Sequence, residues 1–268
     1  MFQNIKVIGL LVVILSLGFS SCSEYQKVLK SSDYELKFEK AKEYYEKEDY
    51  ARSIALFDEL LSIYKGTSKA EDIYFYYANC HYGQKDYILA GHYFRNFANT
   101  FPLSNRTEEA EYLGAYCYYL DSPKSSLDQT FTLKAIEEMQ YFINKHPESE
   151  RLDEANDIID KLRGKLEIKS YKNARLYFDI GDYKAAIVAL KNSLKEYPDS
   201  EFREKTLFLI VKSSFLLASN SIESKRAERY KSTIDEYYVF VNAFPESENG
   251  KEVQKIYENS KEFIENKH

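Results

Sequence analysis

Three stretches of the chain place their apolar positions in one register: KEDYARSIALFDELLSIYKG (47–66), QKDYILAGHYFRNFANTFPL (84–103) and IGDYKAAIVALKNSLKEYPD (180–199). Each begins near an Asp-Tyr pair, sets a small residue three positions on (Ser53, Ala90, Ala186) and a larger apolar residue four further (Phe57, Phe94, Leu190). Offsets of three and four trace one face of a helix. Upstream of each Asp-Tyr runs a second helical pattern with its own small residue, Ala41, Ala78 or Ala174, followed three later by Tyr44, His81 or Tyr177. Small residues at matching places let two helices approach closely, and the bulky ones fill the groove beside them. The predicted unit is a helix hairpin.

Two further copies are looser. AEYLGAYCYYL (110–120) and LKAIEEMQYFINKHPES (133–149) make a third hairpin around the insertion DSPKSSLDQTFT. A fifth runs from Lys205 to Ser219, then through NSIESKRAERY and STIDEYYVFVNAFPES. The spacing resembles the tetratricopeptide repeat of about 34 residues, so the predicted fold is all-α, a solenoid of about five such hairpins. Four joints share one design, aromatic or His, Pro, any residue, Ser: TFPLSN (100–105), KHPESE (145–150), EYPDSE (196–201) and AFPESE (243–248). Proline cannot continue the helix, and the serine two later is expected to cap the next one, whose first turn carries acids such as Glu108, Glu109, Asp153, Glu154 and Glu204. At the first joint, YKGTS, Gly66 and Thr67 take these roles. After Ser149 the apolar positions Leu152, Ala155, Ile159, Leu162 and Leu166 stay in helical register, which predicts one long bridging helix over roughly 151–180 with Gly164 as a place to kink.

Composition supports a packed helical chain. Of 268 residues 44% are hydrophobic and 30% charged, and 25 Tyr and 17 Phe stand against nine Gly, five Pro and no Trp. The first 21 residues read as a secretory signal: Lys6, an apolar run from Val7 to Leu17, then Gly18-Phe19-Ser20-Ser21 before Cys22. That approach to Cys22 resembles a bacterial lipobox, which makes Cys22 the lipid attachment residue, 22–32 a lipidated tether, 33–150 the first three repeats, and 151–268 the last two with the bridging and terminal helices. Cys80 and Cys117 lie in aromatic helical runs and read as small buried residues; an exported compartment leaves a disulfide open. The four His (81, 92, 146, 268) show no metal-ligand spacing. No P-loop, GxSxG or HExxH is present, and carboxylate pairs such as Glu108/Glu109 and Glu137/Glu138 read as solvated helix faces. No cofactor is implied beyond the lipid. Without the signal, 36 basic residues face 43 acidic ones, which argues against nucleic acid.

The signal with its lipobox, the tether SEYQKVLKSSD, the inserted hairpin GAYCYYLDSPKSSLDQTFTLKAI, the bridge EIKSYKNARLYFDIGDYKAAIVALKNSLKEYPDS and NSIESKRAERYKSTIDEYY together resemble the BamD family, lipoprotein subunits of the machinery that assembles β-barrel proteins in Gram-negative outer membranes. The resemblance implies a non-enzymatic protein on the periplasmic face of the outer membrane. Its C-terminal repeats would dock the POTRA region of the barrel catalyst BamA, and its N-terminal repeats would receive the extended, aromatic-ended C-terminal segment of an unfolded barrel protein. The residues placed to line that groove are Phe38 and Tyr45, then Phe75, Asn79 and Tyr82, then Tyr118 and Tyr119. Two other readings stand beside it. One is another periplasmic repeat lipoprotein that coordinates envelope or cell-division proteins; the other, an enzyme with an appended array, lacks a segment large enough for a second domain.

Overall fold

The computed structural model describes residues 24–266, so the expected signal (1–21) and Cys22 lie outside the described residues. A short helix α1 covers 24–29. It is followed by α2 (Tyr34–Glu46), α3 (Tyr50–Ile63), α4 (Ala70–Gly83), α5 (Tyr87–Thr100), α6 (Thr107–Asp121), α7 (Thr130–Lys145), α8 (Leu152–Asp179), α9 (Tyr183–Glu196), α10 (Arg203–Ser219), α11 (Glu223–Ala243) and α12 (Gly250–Glu265). No strand occurs among the described residues.

Local chemistry sets these boundaries. The aspartate of each Asp-Tyr is an N-cap: the carboxylates of Asp49, Asp86 and Asp182 accept from the N–H groups of Arg52, Leu89 and Ala185. The residue before each closes the preceding helix in the left-handed region, Glu48 at φ 58°, Lys85 at 62° and Gly181 at 82°. At the four proline joints the last residue of the hairpin, Phe101, His146, Tyr197 or Phe244, has φ between −123° and −137°, outside the helical region as a following proline requires.

The joint serines do something other than cap. Each sits two residues before the next helix or its cap, where its Oγ accepts the N–H of Arg106, Arg151, Phe202 or Asn249. Its hydroxyl donates across the repeat to a glutamate at the start of the hairpin it closes. Ser104 reaches Glu71 at 2.7 Å, Ser149 reaches Glu108 at 2.6 Å, and Ser200 and Ser247 reach Glu167 and Glu204 at 2.5 Å. The first joint differs: Thr67 donates to the Tyr64 carbonyl, and Tyr34 stands where the other hairpins have the glutamate. Glu167 lies in mid-α8, so its tie marks where the fourth hairpin begins inside the long helix.

The chain divides into two compact units, residues up to 123 with 129–162, and 124–128 with 163 onward. The division falls inside α8 at Leu162/Arg163 rather than at 150/151, because Ala155, Ile158, Ile159 and Leu162 bury in one core with Tyr112, Ala135, Met139 and Phe142 of the third hairpin. The expected tether also differs. Val28 of α1 is buried with Phe38, Leu56 and Phe57, and the Tyr25 ring meets Tyr44 edge-on at 5.7 Å. In the second and third hairpins α5 and α6 approach through Gly91 and Gly114; a Cβ at Gly91 would lie 3.2 Å from that of Cys117. Cys80 and Cys117 are free and buried, and burial pushes their thiols up to about 11 and about 12. The fourth and fifth hairpins share a core of Tyr171, Ala174, Ala186, Leu190, Ile210, Val211 and Phe240, extended by Val253 and Ile256 of α12.

Candidate functional site: the first-helix faces

Ala41, Ala78, Ala115, Ala174 and the larger Val211 are buried at one equivalent place in each first helix. Counted from them, the −3 position holds Phe38, Phe75, Tyr112, Tyr171 and Phe208, the +1 position Lys42, Asn79, Tyr116, Arg175 and Lys212, and the +4 position Tyr45, Tyr82, Tyr119, Phe178 and Phe215. These offsets keep the three positions on neighbouring turns of one helical side.

In the N-terminal unit the row is aromatic and rich in hydroxyls. Tyr45 packs between Tyr50 at 5.9 Å and Tyr76 at 5.0 Å. Phe75 meets Phe94 and Phe97 edge-on, and the Arg106 guanidinium lies 5.1 Å above its ring. Asn79 donates from Nδ2 to the Phe75 carbonyl at 2.8 Å, and Tyr82 rests on Tyr87 and Phe94. Tyr116 stacks on Tyr112 at 5.8 Å and tilts against Tyr119 at 5.4 Å. Partial burial raises the phenol pKa of Tyr45, Tyr82 and Tyr116, so each stays a neutral hydroxyl that both donates and accepts. These groups are half-buried.

Two of the seven sequence candidates are placed elsewhere. Phe38 is 5% exposed, meets Phe57 at 6.3 Å and has Lys42 and Lys69 over its ring, which makes it core. Tyr118 lies on another side of α6: its hydroxyl accepts from Arg95 at 3.3 Å and its ring stacks on Phe131 of α7. There it neighbours a cleft of about 290 Å³ between α5, α6 and α7, floored by Ala98, Ala110, Gly114 and Ala115. Gly114 opens this cleft by standing where Tyr77 stands one hairpin earlier. Sequence reasoning missed Tyr116, and aligning the third helix on Ala115 finds it at the place of Asn79.

The C-terminal unit carries cations in the same row. Tyr171 is buried against Phe202 at 4.6 Å, while Phe178, Phe208 and Phe215 are half-buried. The Lys212 ammonium lies 5.1 Å over Phe208 and 6.0 Å over Phe178, and pairs with Glu252 at 2.8 Å. Among the described residues no three His, Cys, Asp or Glu side chains converge to hold a metal, and no helix is long and apolar enough to cross a membrane.

Stacked hairpins of this spacing define a tetratricopeptide-like repeat protein, a class that offers extended helix faces to other chains. The family profile described as "YfiO: Outer membrane lipoprotein" matches residues 31–230, and the chain belongs to that family. It is 22% identical over 97% of its length to a putative outer membrane protein assembly factor BamD of Aquifex aeolicus, covering 81% of that protein. It is 25% identical over 48% of its length to the outer membrane protein assembly factor BamD of Caulobacter vibrioides, covering 42% of that protein. Among solved structures, a TPR2AB-domain complex with pHSP90 of yeast Sti1 aligns over 86% of this chain and 99% of its own, with TM-score 0.39 and 11% identity.

Proposed function

We propose that this chain is a BamD-type subunit of the β-barrel assembly machinery, held on the periplasmic face of the outer membrane by lipid on Cys22 and acting by binding rather than catalysis. Its N-terminal unit receives the C-terminal segment of an unfolded barrel protein, and its C-terminal unit docks the POTRA region of a BamA-like barrel protein. The family and its assembly-factor relatives support the general role. The observation that carries the substrate half is the row of half-buried Tyr45, Phe75, Tyr82, Tyr116 and Tyr119, whose rings offer apolar contact and whose four tyrosine hydroxyls can reach main-chain groups of an extended peptide.

The test is titration of the full chain with a labelled peptide copying a barrel's C-terminal strand. Tyr45→Ala with Tyr82→Ala should weaken binding at least roughly tenfold while circular dichroism stays helical. Unchanged affinity with the fold intact refutes the assignment of the groove.

A further inference from the structure

Where the second hairpin stacks on the first, large side chains fill the joint between them. Tyr77 of α4 is buried, meets Tyr93 of α5 edge-on at 4.6 Å and donates from its hydroxyl to Asp58 of α3 at 3.0 Å. Ile73 and Leu61 pack in the same core. Where the third hairpin stacks on the second, the equivalent positions hold Gly114, Ala110 and Ala98, and Arg95 and Glu138 stand in the places of Asp58 and Tyr93. The cleft of about 290 Å³ between α5, α6 and α7 is the space those three smaller residues leave. Sites for small molecules start at about 300 Å³, so this one has the size for a single side chain.

Helix packing does not require the space to be empty. A Cβ at Gly114 would lie 3.6 Å from that of Phe94, an ordinary contact, whereas one at Gly91 would lie 3.2 Å from that of Cys117. A glycine inside a helix lowers stability relative to alanine, and an open apolar cleft lacks the dispersion contacts of a filled one. The wall also keeps hydrogen-bonding capacity in reserve. Arg95 donates to Glu138 at 2.5 Å and to the Tyr118 hydroxyl at 3.3 Å, both from Nη2, and a guanidinium has five N–H groups. Glu138 meets Arg95 and Lys134 through Oε1, which leaves Oε2. The other acid in the wall, Glu111, is held by Lys145 and His146.

We infer that this cleft binds the side chain of a tyrosine presented by a separate polypeptide. The ring lies on Ala98, Ala110 and Gly114, and its hydroxyl accepts from Arg95 and donates to Glu138, much as Tyr77 reaches Asp58 one hairpin earlier. Residues 1–23 and 267–268, outside the described part of the chain, contain no tyrosine, so they do not supply it. Exposed Asn99 at the mouth carries a side-chain amide, the group that pairs with the main chain on either side of a bound residue. The cleft lies on another side of α6 from Tyr116 and Tyr119, so the inference does not rest on the proposed substrate groove.

The full chain is titrated with N-acetyl-tyrosinamide, N-acetyl-phenylalaninamide and p-cresol, followed by the NMR shift of the Ala115 amide. The tyrosine amide should bind, and the phenylalanine amide should bind roughly tenfold more weakly because it leaves Arg95 and Glu138 without the hydroxyl. Gly114→Tyr and Ala98→Leu restore what Tyr77 and Leu61 supply, and each should abolish binding with a thermal midpoint at or above wild type. If one of them unfolds, the other decides; midpoints below wild type in both would show that the space is not free and overturn the inference. An excess of a barrel C-terminal peptide without tyrosine should leave the signal in place, and its displacement of the probe would assign the cleft to the substrate groove instead. Equal affinity for the two amides, binding that survives both filling variants, or no binding of any probe refutes the site. Binding of p-cresol as tight as that of the tyrosine amide overturns the polypeptide source in favour of a free phenol. Sedimentation that finds a dimer in wild type and a monomer in Gly114→Tyr overturns the separate partner in favour of a second copy of this chain.

Discussion

Four residues past the small buried position, the N-terminal unit carries Tyr45, Tyr82 and Tyr119, and the C-terminal unit carries Phe178 and Phe215. One residue past it, Lys42, Asn79 and Tyr116 give way to Arg175 and Lys212. The small residues themselves hardly change: Ala41, Ala78, Ala115 and Ala174 are all buried to within 2%. Interhelical packing therefore holds this position to alanine in four of the five first helices, with Val211 in the fifth, while the positions beside it diverge. The difference lies four residues on, where hydroxyl-bearing tyrosines of one unit give way to phenylalanines in the other; rings beneath cations occur in both, Phe75 under Arg106 and Phe208 under Lys212.

The comparison predicts equal sensitivity where the units agree. Gly91→Leu in the N-terminal unit and Ala186→Leu in the C-terminal unit each force bulk into a helix crossing, and each should cost roughly 1–3 kcal/mol of stability. Lys191→Leu, at an exposed position of α9, should leave the thermal midpoint near wild type. Equally small effects for all three would break the shared packing scheme.

Next in size are the serine ties. Ser104→Ala in the N-terminal unit and Ser200→Ala in the C-terminal one each remove the hydroxyl's hydrogen bond to a glutamate and should cost about 1 kcal/mol, read by denaturant titration. Lys69→Ala at the first joint, which removes an exposed ion pair with Glu35 equivalent to Arg106–Asp72 one hairpin on, should shift the midpoint less. A larger loss at Lys69 would show that the first joint is the stronger one.

The smallest effect separates Lys85 from Gly181, which both hold positive φ before an N-cap aspartate. Lys85→Gly should raise stability by about 0.5 kcal/mol and Gly181→Ala should lower it by about 1 kcal/mol. A melting curve of Lys85→Gly below wild type would mean that the lysine side chain contributes more than its backbone strain costs.

Much of this was legible in the sequence because it is local. The hairpins, the aspartate at each Asp-Tyr, the proline stops and the long α8 all rest on residues within a turn or two of each other. The partners of the joint serines are not local: Ser104 and Glu71 lie 33 positions apart, and Ser149 and Glu108 lie 41 apart. A serine three residues before a helix looks like a cap until the fold brings the carboxylate to it. Tyr118 was misplaced for a related reason, since the insertion in the third hairpin obscures the register that Ala115 restores. Phe38 follows the row by spacing, but Phe57, Lys42 and Lys69 close around it, and only tertiary structure reveals that. The six residues of α1 are too few for periodicity to show that Val28 packs inward.

The serine ties bear on how such an array grows. Glu71 and Ser104 belong to the same hairpin, as do Glu108 and Ser149, Glu167 and Ser200, and Glu204 and Ser247. A duplicated gene segment that copies one hairpin copies both halves of its fastening, with no matching change required in its neighbours. Repeat number can then change in one genetic step without first passing through a poorly joined intermediate. Each new copy is free to alter its outward side chains for a different partner.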